Sequence, residues 1–169
     1  MPIKGGDKQT GKKIDLDNYV PALLTWIANK LSGSASSLYL KHFGVGIEVW
    51  RCLVLLAKGQ PISAQYISQT IGLDKASVSR CFKRMHADGL INLSDDKSDG
   101  RVKLAVLTAK GRKLHDRIIG LALTREEALL SQLDDKEQQQ LILLLQKLHS
   151  SLGIVESASD CYVKKHLSV

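Results

Sequence analysis

The stretch from Ile62 to Leu107, ISAQYISQTIGLDKASVSRCFKRMHADGLINLSDDKSDGRVKLAVL, leaves this chain few choices. Ser63 is a plausible N-cap for a short helix over Ala64–Ile71. Gly72-Leu73-Asp74 follows; Gly72 can take a left-handed conformation, and Asp74 can cap the next helix at the end that favours a negative group. In that helix Val78, Cys81, Phe82 and Met85 fall within a narrow arc. Ala76, Ser79, Arg80 and Lys83 point away, Ser77 and Arg84 flank the outward face, and Gly89 ends the helix. Two alternating runs follow, Leu90–Ser94 and Val102–Leu107, joined by the polar loop DDKSDGR. That is the punctuation of a β-hairpin. Val102, Leu104 and Val106 give the second strand an apolar face, with Lys103 on the other. Two helices across a tight turn, then a hairpin, make a winged helix-turn-helix.

Ser68, Gly72 and Val78 stand where the two helices must approach and bend: small, glycine and β-branched. The outward residues Ser77, Ser79, Arg80, Lys83 and Arg84 are the donor types that meet phosphates and base edges, and Ala76 suits a thymine methyl. A lone polar helix face is more often simply solvated. Here the turn in front and the basic loop behind point to double-stranded DNA, with this helix entering the major groove.

The flanks supply a support. From Asp17, Val20, Leu23, Leu24, Ile27, Leu31, Ala35 and Leu38 keep helical spacing, with Pro21 in the first turn and a weak patch at Ser32-Gly33-Ser34 where a kink or break is expected. Ile47–Ala57 is a second, strongly apolar helix ended by Gly59-Gln60-Pro61. Thr108 opens a long helical stretch to about Leu133, with Leu114, Ile118, Leu121 and Leu129 on one side. Asp134 and Glu137 form a capping-box-like start for a leucine stripe of Leu141, Leu144, Leu145, Leu148 and Leu152. A helix so apolar must be buried, and the simplest cover is a second subunit. The expected fold is therefore mainly α with a small β-hairpin wing. It has a flexible basic arm over 1–15, dimerisation helices over 16–45 and 108–153, a DNA-binding domain over 46–107, and a loose C-terminal tail over 154–169.

The remaining composition narrows function. The formal net charge of +7 suits a polyanionic partner. No apolar run approaches the roughly 20 residues of a membrane span, and no signal-peptide core precedes the first helix, so a cytoplasmic, non-membrane protein is expected. Cys52, Cys81 and Cys161 are an odd number without paired spacing, which argues against a disulfide framework or zinc knuckle. The five histidines show no ligand spacing, and no nucleophile with its base, phosphate-cradling loop or metal triad is evident. No enzyme activity, cofactor or metal is expected.

Over roughly residues 17–152 the chain resembles MarR-family transcriptional regulators. The matching motifs are IGLDKASVSRCFKRMHADGLI, the charged wing DDKSDGR, and VLTAKGR just after it. The resemblance implies a homodimer whose two winged helices reach successive major grooves of a pseudopalindromic operator, usually as a repressor. The family's wing carries Asp-x-Arg, whose arginine commonly enters the minor groove. Asp99-Gly100-Arg101 matches, giving Arg101 that role and Asp99 the task of orienting it. Lys97 and Lys103 flank this wing as further cations. Gly100 departs from the usual charged or polar residue, Asp95 and Asp96 dilute the positive charge, and Ser68 replaces a more typical alanine.

Family members are often released from DNA by a small aromatic carboxylate bound between dimerisation region and winged helix. Trp26, Ser34, Tyr39, His42, Trp50 and Arg51 sit on the helices that would line such a site, with Arg51 the candidate cation for the carboxylate. Structural packing of the same residues is the competing reading. Two alternatives remain: a cysteine-based redox regulator, or a winged-helix protein-interaction module without effector. The family's peroxide sensors carry their cysteine in the first helix, where this chain has none, and Cys52 and Cys81 lie on buried-looking faces where thiols are usually inert.

Overall fold

The computed structural model describes residues 13–167, so the basic arm expected over 1–15 lies outside the described residues apart from Lys13, Ile14 and Asp15. The chain divides into two compact units, one ending at Ile118 and the other beginning at Ile119.

The first unit opens with α1, Val20–Phe43, where Pro21 occupies the first turn at no hydrogen-bonding cost. The break expected at Ser32-Gly33-Ser34 does not occur, and α1 is one helix of 24 residues. The hydroxyls of Ser34 and Ser37 turn back to the carbonyls of Leu31 and Gly33 at 3.2 and 3.1 Å, a local bond that helical backbone tolerates. Ala35 and Tyr39 are buried, whereas Val20, Leu23, Leu24 and Ile27 are exposed in the single chain. Helix α2, Ile47–Leu56, is the centre of the core, with Val49, Cys52, Leu53 and Leu56 all buried. Each such leucine contributes roughly 1.5–3 kcal/mol by leaving water.

Strand β1, Ile62–Ser63, leads straight into α3, Ala64–Ile71, and Ser63 Oγ accepts the Tyr66 N–H at 3.1 Å as its cap. Gly72 closes α3 with φ of 68°, a left-handed value in which a side chain would be strained. Ser68 does more than replace an alanine: its hydroxyl donates to the Leu73 carbonyl at 2.6 Å and ties the turn together. Helix α4, Lys75–Ala87, then buries Val78, Cys81, Phe82 and Met85, the expected inward arc.

Strands β2, Ile91–Asp95, and β3, Lys103–Leu107, form the hairpin. The sheet has a third member that the hairpin pattern did not reveal: β1 pairs with β3, giving the antiparallel order β1-β3-β2. This corrects the inward face of β3. Ala105, 0% exposed, is the buried residue, while Leu104 and Val106 are only half-buried. Ala105 lies between Ile62 of β1 and Leu93 of β2, and a central strand flanked by larger residues has room inside for a small one.

Helix α5, Ala109–Leu130, starts against the end of this sheet. Thr108 donates its N–H to the Leu90 carbonyl at 3.0 Å and its hydroxyl to the Gly89 carbonyl at 2.7 Å. Arg112 reaches the Ala57 carbonyl at the end of α2, 2.8 Å away. Gly111 has no alternative, because a Cβ there would stand 2.0 Å from the Leu90 carbonyl oxygen.

The second unit holds the rest of α5, then α6, Asp135–Ser150, and α7, Leu152–His166. The capping box is formed: Asp134 accepts the Glu137 N–H at 2.9 Å, and Glu137 accepts the Asp134 N–H at 2.9 Å. The loose tail expected over 154–169 is corrected, since Leu152–His166 is helical. Ser157 and Ser159 bond back to the carbonyls of Gly153 and Val155, and Lys164, Lys165 and His166 face the negative end of the helix dipole. The leucine stripe is largely uncovered in the single chain: Leu144, Leu145, Leu148 and Leu152 are exposed, and Leu141 is half-buried. Among the described residues no helix is long and apolar enough to cross a membrane.

Candidate nucleic-acid interface

Helix α4 owes its start to Asp74, whose carboxylate accepts the Ser77 N–H at 2.9 Å. Hydrogen bonds from Ser77 hold that carboxyl below its usual pKa of 3.8, with the Arg80 charge helping, so Asp74 remains a negative cap at neutral pH. Because the inward arc is fixed by burial, the opposite face is fixed too. Ala76, Arg80, Lys83 and Arg84 are exposed, while Ser77 and Ser79 are half-buried beside them. Arg80 already donates to Ser77 Oγ at 2.7 Å, which restricts its guanidinium before any ligand arrives. Arg84 lies 3.9 Å from Asp88, an exposed pair whose worth is small.

The wing between β2 and β3 is a hydrogen-bonded loop. Asp96 donates its N–H to the Val102 carbonyl at 2.9 Å, and Val102 donates to the Asp99 carbonyl at 2.8 Å. Asp99 Oδ1 accepts from both the backbone N–H and Nε of Arg101, at 3.0 and 3.3 Å. Arg101 itself is 93% exposed, so Asp99 steadies its base while the guanidinium stands in solvent. The two neighbouring acids face their own partners. Asp95 pairs with Lys103, and Asp96 accepts from Ser98, which holds the Asp96 carboxyl below its ordinary range. Lys97 is exposed on the loop, whereas Lys103 is partly neutralised.

Between α3, α4 and the wing lies a cleft of about 380 Å³. Ser79, Lys83, Arg101 and Lys103, all named from the sequence, line it together with Gln65 and Lys75, which were not. Lys75 donates to Gln65 at 3.4 Å. Position offered the signal, since Lys75 opens the recognition helix and Gln65 occupies the first turn of α3. Four cations line this cleft, and none of its described lining residues is acidic. A focused positive potential of this kind attracts a polyanion.

The residues marked for an effector divide. Tyr39 and Trp50 meet edge to face with ring centres 5.7 Å apart, and Trp50 stacks on His115 at 5.5 Å. Phe43 adjoins Tyr39 at 6.3 Å with Arg117 over its ring. His115 shares the buried face of α5 with Gly111 and Ile118, a helical spacing that marks it in the sequence, and its Nδ1 lies 2.8 Å from Asp116 Oδ1. Arg51 donates to Ser32 Oγ at 2.8 Å. Trp26, Ser34 and His42 are exposed on α1 and are not members of this ring cluster.

Comparison with known proteins agrees with this arrangement. Residues 43–102 match the model of the MarR family. The chain is 26% identical over 125 residues to the HTH-type transcriptional regulator BilQ of Clostridium symbiosum (strain WAL-14163), covering 74% of this chain and 84% of that protein. It superposes on the crystal structure of a MarR/EmrR family transcriptional regulator from Acinetobacter sp. ADP1 with a TM-score of 0.76 and 34% identity, covering 83% of this chain and 99% of that one. It is also similar to S. aureus MepR in a crystal structure of its complex with DNA, with a TM-score of 0.68, 26% identity, and coverage of 79% and 98%. The wing, the turn and the exposed cationic face of α4 are thus those of a DNA-binding transcriptional regulator, and the chain belongs to the MarR family.

Proposed function

We propose that the protein is a homodimeric repressor that binds a pseudopalindromic operator and releases it when a small aromatic acid binds. The observation that carries the DNA half is the common orientation of Lys75, Lys83, Arg101 and Lys103 around one cleft beside the exposed face of α4. In this reading Ala76, Ser77, Ser79 and Arg80 address base edges in the major groove, and Lys83 and Arg84 address phosphates. Lys97 and Lys103 add backbone contacts, and Arg101, steadied by Asp99, enters the minor groove. Two copies would set half-sites about one helical turn apart. Support for two copies comes from the uncovered apolar residues of α1 and of α6 and α7.

The test is selection of duplexes from a random library, followed by affinity measurements over a salt series. Binding should weaken with a log–log slope of about −0.9 per phosphate contacted. Arg80→Ala should relax preference at one base position at a cost of roughly 1–3 kcal/mol, while Lys83→Ala should weaken all duplexes alike. Identical specificity profiles for the two variants would refute this division of roles.

The effector half rests on the Tyr39–Trp50–His115 ring cluster, with Arg51 one residue from Trp50 as the cation for a carboxylate. Titration of aromatic acids into the selected duplex complex tests it. Release by none of them, with Arg51→Ala also silent, would sink the idea.

A further inference from the structure

We propose that Cys52 and Cys81 form a reversible intrachain disulfide that pins the recognition helix to α2 and lowers the affinity of the protein for DNA. The loss of affinity rests on the role of α4 in DNA binding; formation of the bond does not.

The two residues are 29 positions apart, yet their sulfurs lie 3.8 Å from one another. Cys52 is on the core side of α2 and 2% exposed, and Cys81 is on the inward arc of α4 and 9% exposed. Both are free thiols. A disulfide needs sulfurs about 2.05 Å apart. Rotation about the Cα–Cβ bonds can supply some of the difference. The rest must come from the helices, because Val78, Phe82 and Met85 around Cys81, and Leu53 beside Cys52, are buried and closely packed. Arg80, Lys83 and Arg84 stand on the other side of the same α4 turns, so a displacement of the inward face moves them as well.

The sulfurs are not equivalent. Cys52 donates its S–H to Cys81, which together with burial pushes the Cys52 thiol up. Acceptance of that hydrogen bond lowers Cys81, helped by the Arg84 charge and opposed by burial and by Glu48 of α2. Cys81, also the more exposed of the two, is the sulfur that reacts first, and Cys52 the one that resolves it. With a peroxide as oxidant, the Cys81 thiolate attacks one peroxide oxygen and the O–O bond breaks. The departing hydroxide takes up the proton released from Cys81 and leaves as water, and Cys81 becomes a sulfenic acid. The Cys52 sulfur then attacks Cys81 sulfur; the S–S bond forms, the S–O bond breaks, and hydroxide leaves with the Cys52 proton as a second water. Two electrons pass from the two sulfurs to one hydrogen peroxide, giving one disulfide and two waters.

The experiment uses the full chain carrying Cys161→Ser, so that the exposed third thiol does not contribute. The protein is treated with hydrogen peroxide and digested without reductant. Mass spectrometry should find the Cys52 and Cys81 peptides joined, with the loss of two hydrogens. Affinity for the duplex selected by the reduced chain should fall roughly tenfold or more, the scale of losing one good base contact, and dithiothreitol should restore it. Cys52→Ser, with Cys52→Ala as a second variant should the first fold poorly, should leave Cys81 as a sulfenic acid trapped by dimedone. Hydrogen exchange over residues 75–87 should change on oxidation of the Cys161→Ser chain and not of the Cys52 variants. Absence of the joined peptides overturns the proposal whatever happens to DNA binding. Joined peptides with unchanged affinity and unchanged exchange overturn its regulatory half. Failure of the reduced chain to select any duplex would overturn the DNA reading instead, and the joined peptides and the exchange would still decide whether the bond forms and moves α4.

Discussion

Alanine for glycine inside a helix normally stabilises, by as much as about 1 kcal/mol, because glycine loses more backbone freedom on folding. Gly111→Ala should do the reverse. A Cβ at this position would stand 2.0 Å from the Leu90 carbonyl oxygen, 3.0 Å from its carbon and 3.2 Å from Leu107 Cδ2. Ordinary contact begins near 3.5 Å, so the first turn of α5 must retreat by more than about 1 Å. The obstruction is backbone and cannot turn aside. That retreat strains the bonds that fasten the turn: Thr108 N–H to Leu90 at 3.0 Å, Thr108 hydroxyl to Gly89 at 2.7 Å, and Arg112 to Ala57 at 2.8 Å. Overpacking costs about 1–3 kcal/mol, and the three hydrogen bonds, weakened rather than lost, add about 2 kcal/mol between them. After the propensity gain is set against this, the net loss should be about 2–4 kcal/mol. Urea unfolding followed by tryptophan fluorescence, at one fixed chain concentration, measures it. Gly33→Ala is the internal control, since Gly33 is exposed in α1 with nothing within 4 Å, and it should be neutral or stabilising by up to about 1 kcal/mol. A Gly111→Ala midpoint equal to or above the parent's would refute the reasoning.

The Asp74 cap carries a pH signature. Its carboxyl lies below the ordinary 3.8 in the folded chain, so its contribution is fully present above about pH 4 and is lost as pH falls through the lower native value. The urea midpoints of the parent and Asp74→Ala should therefore differ most at neutral pH and converge below pH 4; a constant difference across that range would contradict it. Leu144→Glu places a charge on the uncovered stripe of α6 and should convert the proposed dimer to monomers in sedimentation, with far-UV circular dichroism retained. An unchanged sedimentation coefficient would remove Leu144 from the proposed subunit interface.

Much of this protein is legible in the chain because the interactions that matter are local. Ser63 and Asp74 cap helices within three residues, Asp134 and Glu137 cap each other across the same distance, and Gly72 answers to its own backbone angle. The inward arc of α4 follows from helical period alone. Because period also fixes the opposite face, it places Arg80, Lys83 and Arg84 outward. The Asp99–Arg101 contact spans two positions and belongs to the same class.

What only tertiary structure decided involves partners far along the chain. Strand alternation offers two faces of β3, and pairing with β1, some forty residues earlier, chose Ala105 over Leu104 and Val106. Gly111 looks like a poor helix residue until the Leu90 carbonyl is seen against it. His115 became an aromatic neighbour only when α5 met Trp50 of α2. Cys52 and Cys81, two unremarkable buried thiols in sequence, became a pair because α2 and α4 cross with their sulfurs face to face. Sequence determined which surfaces each helix and strand presents, since caps and periods act within about one turn. Packing determined which of those surfaces meet, because close contact between distant segments depends on the volume and shape of every neighbour at once.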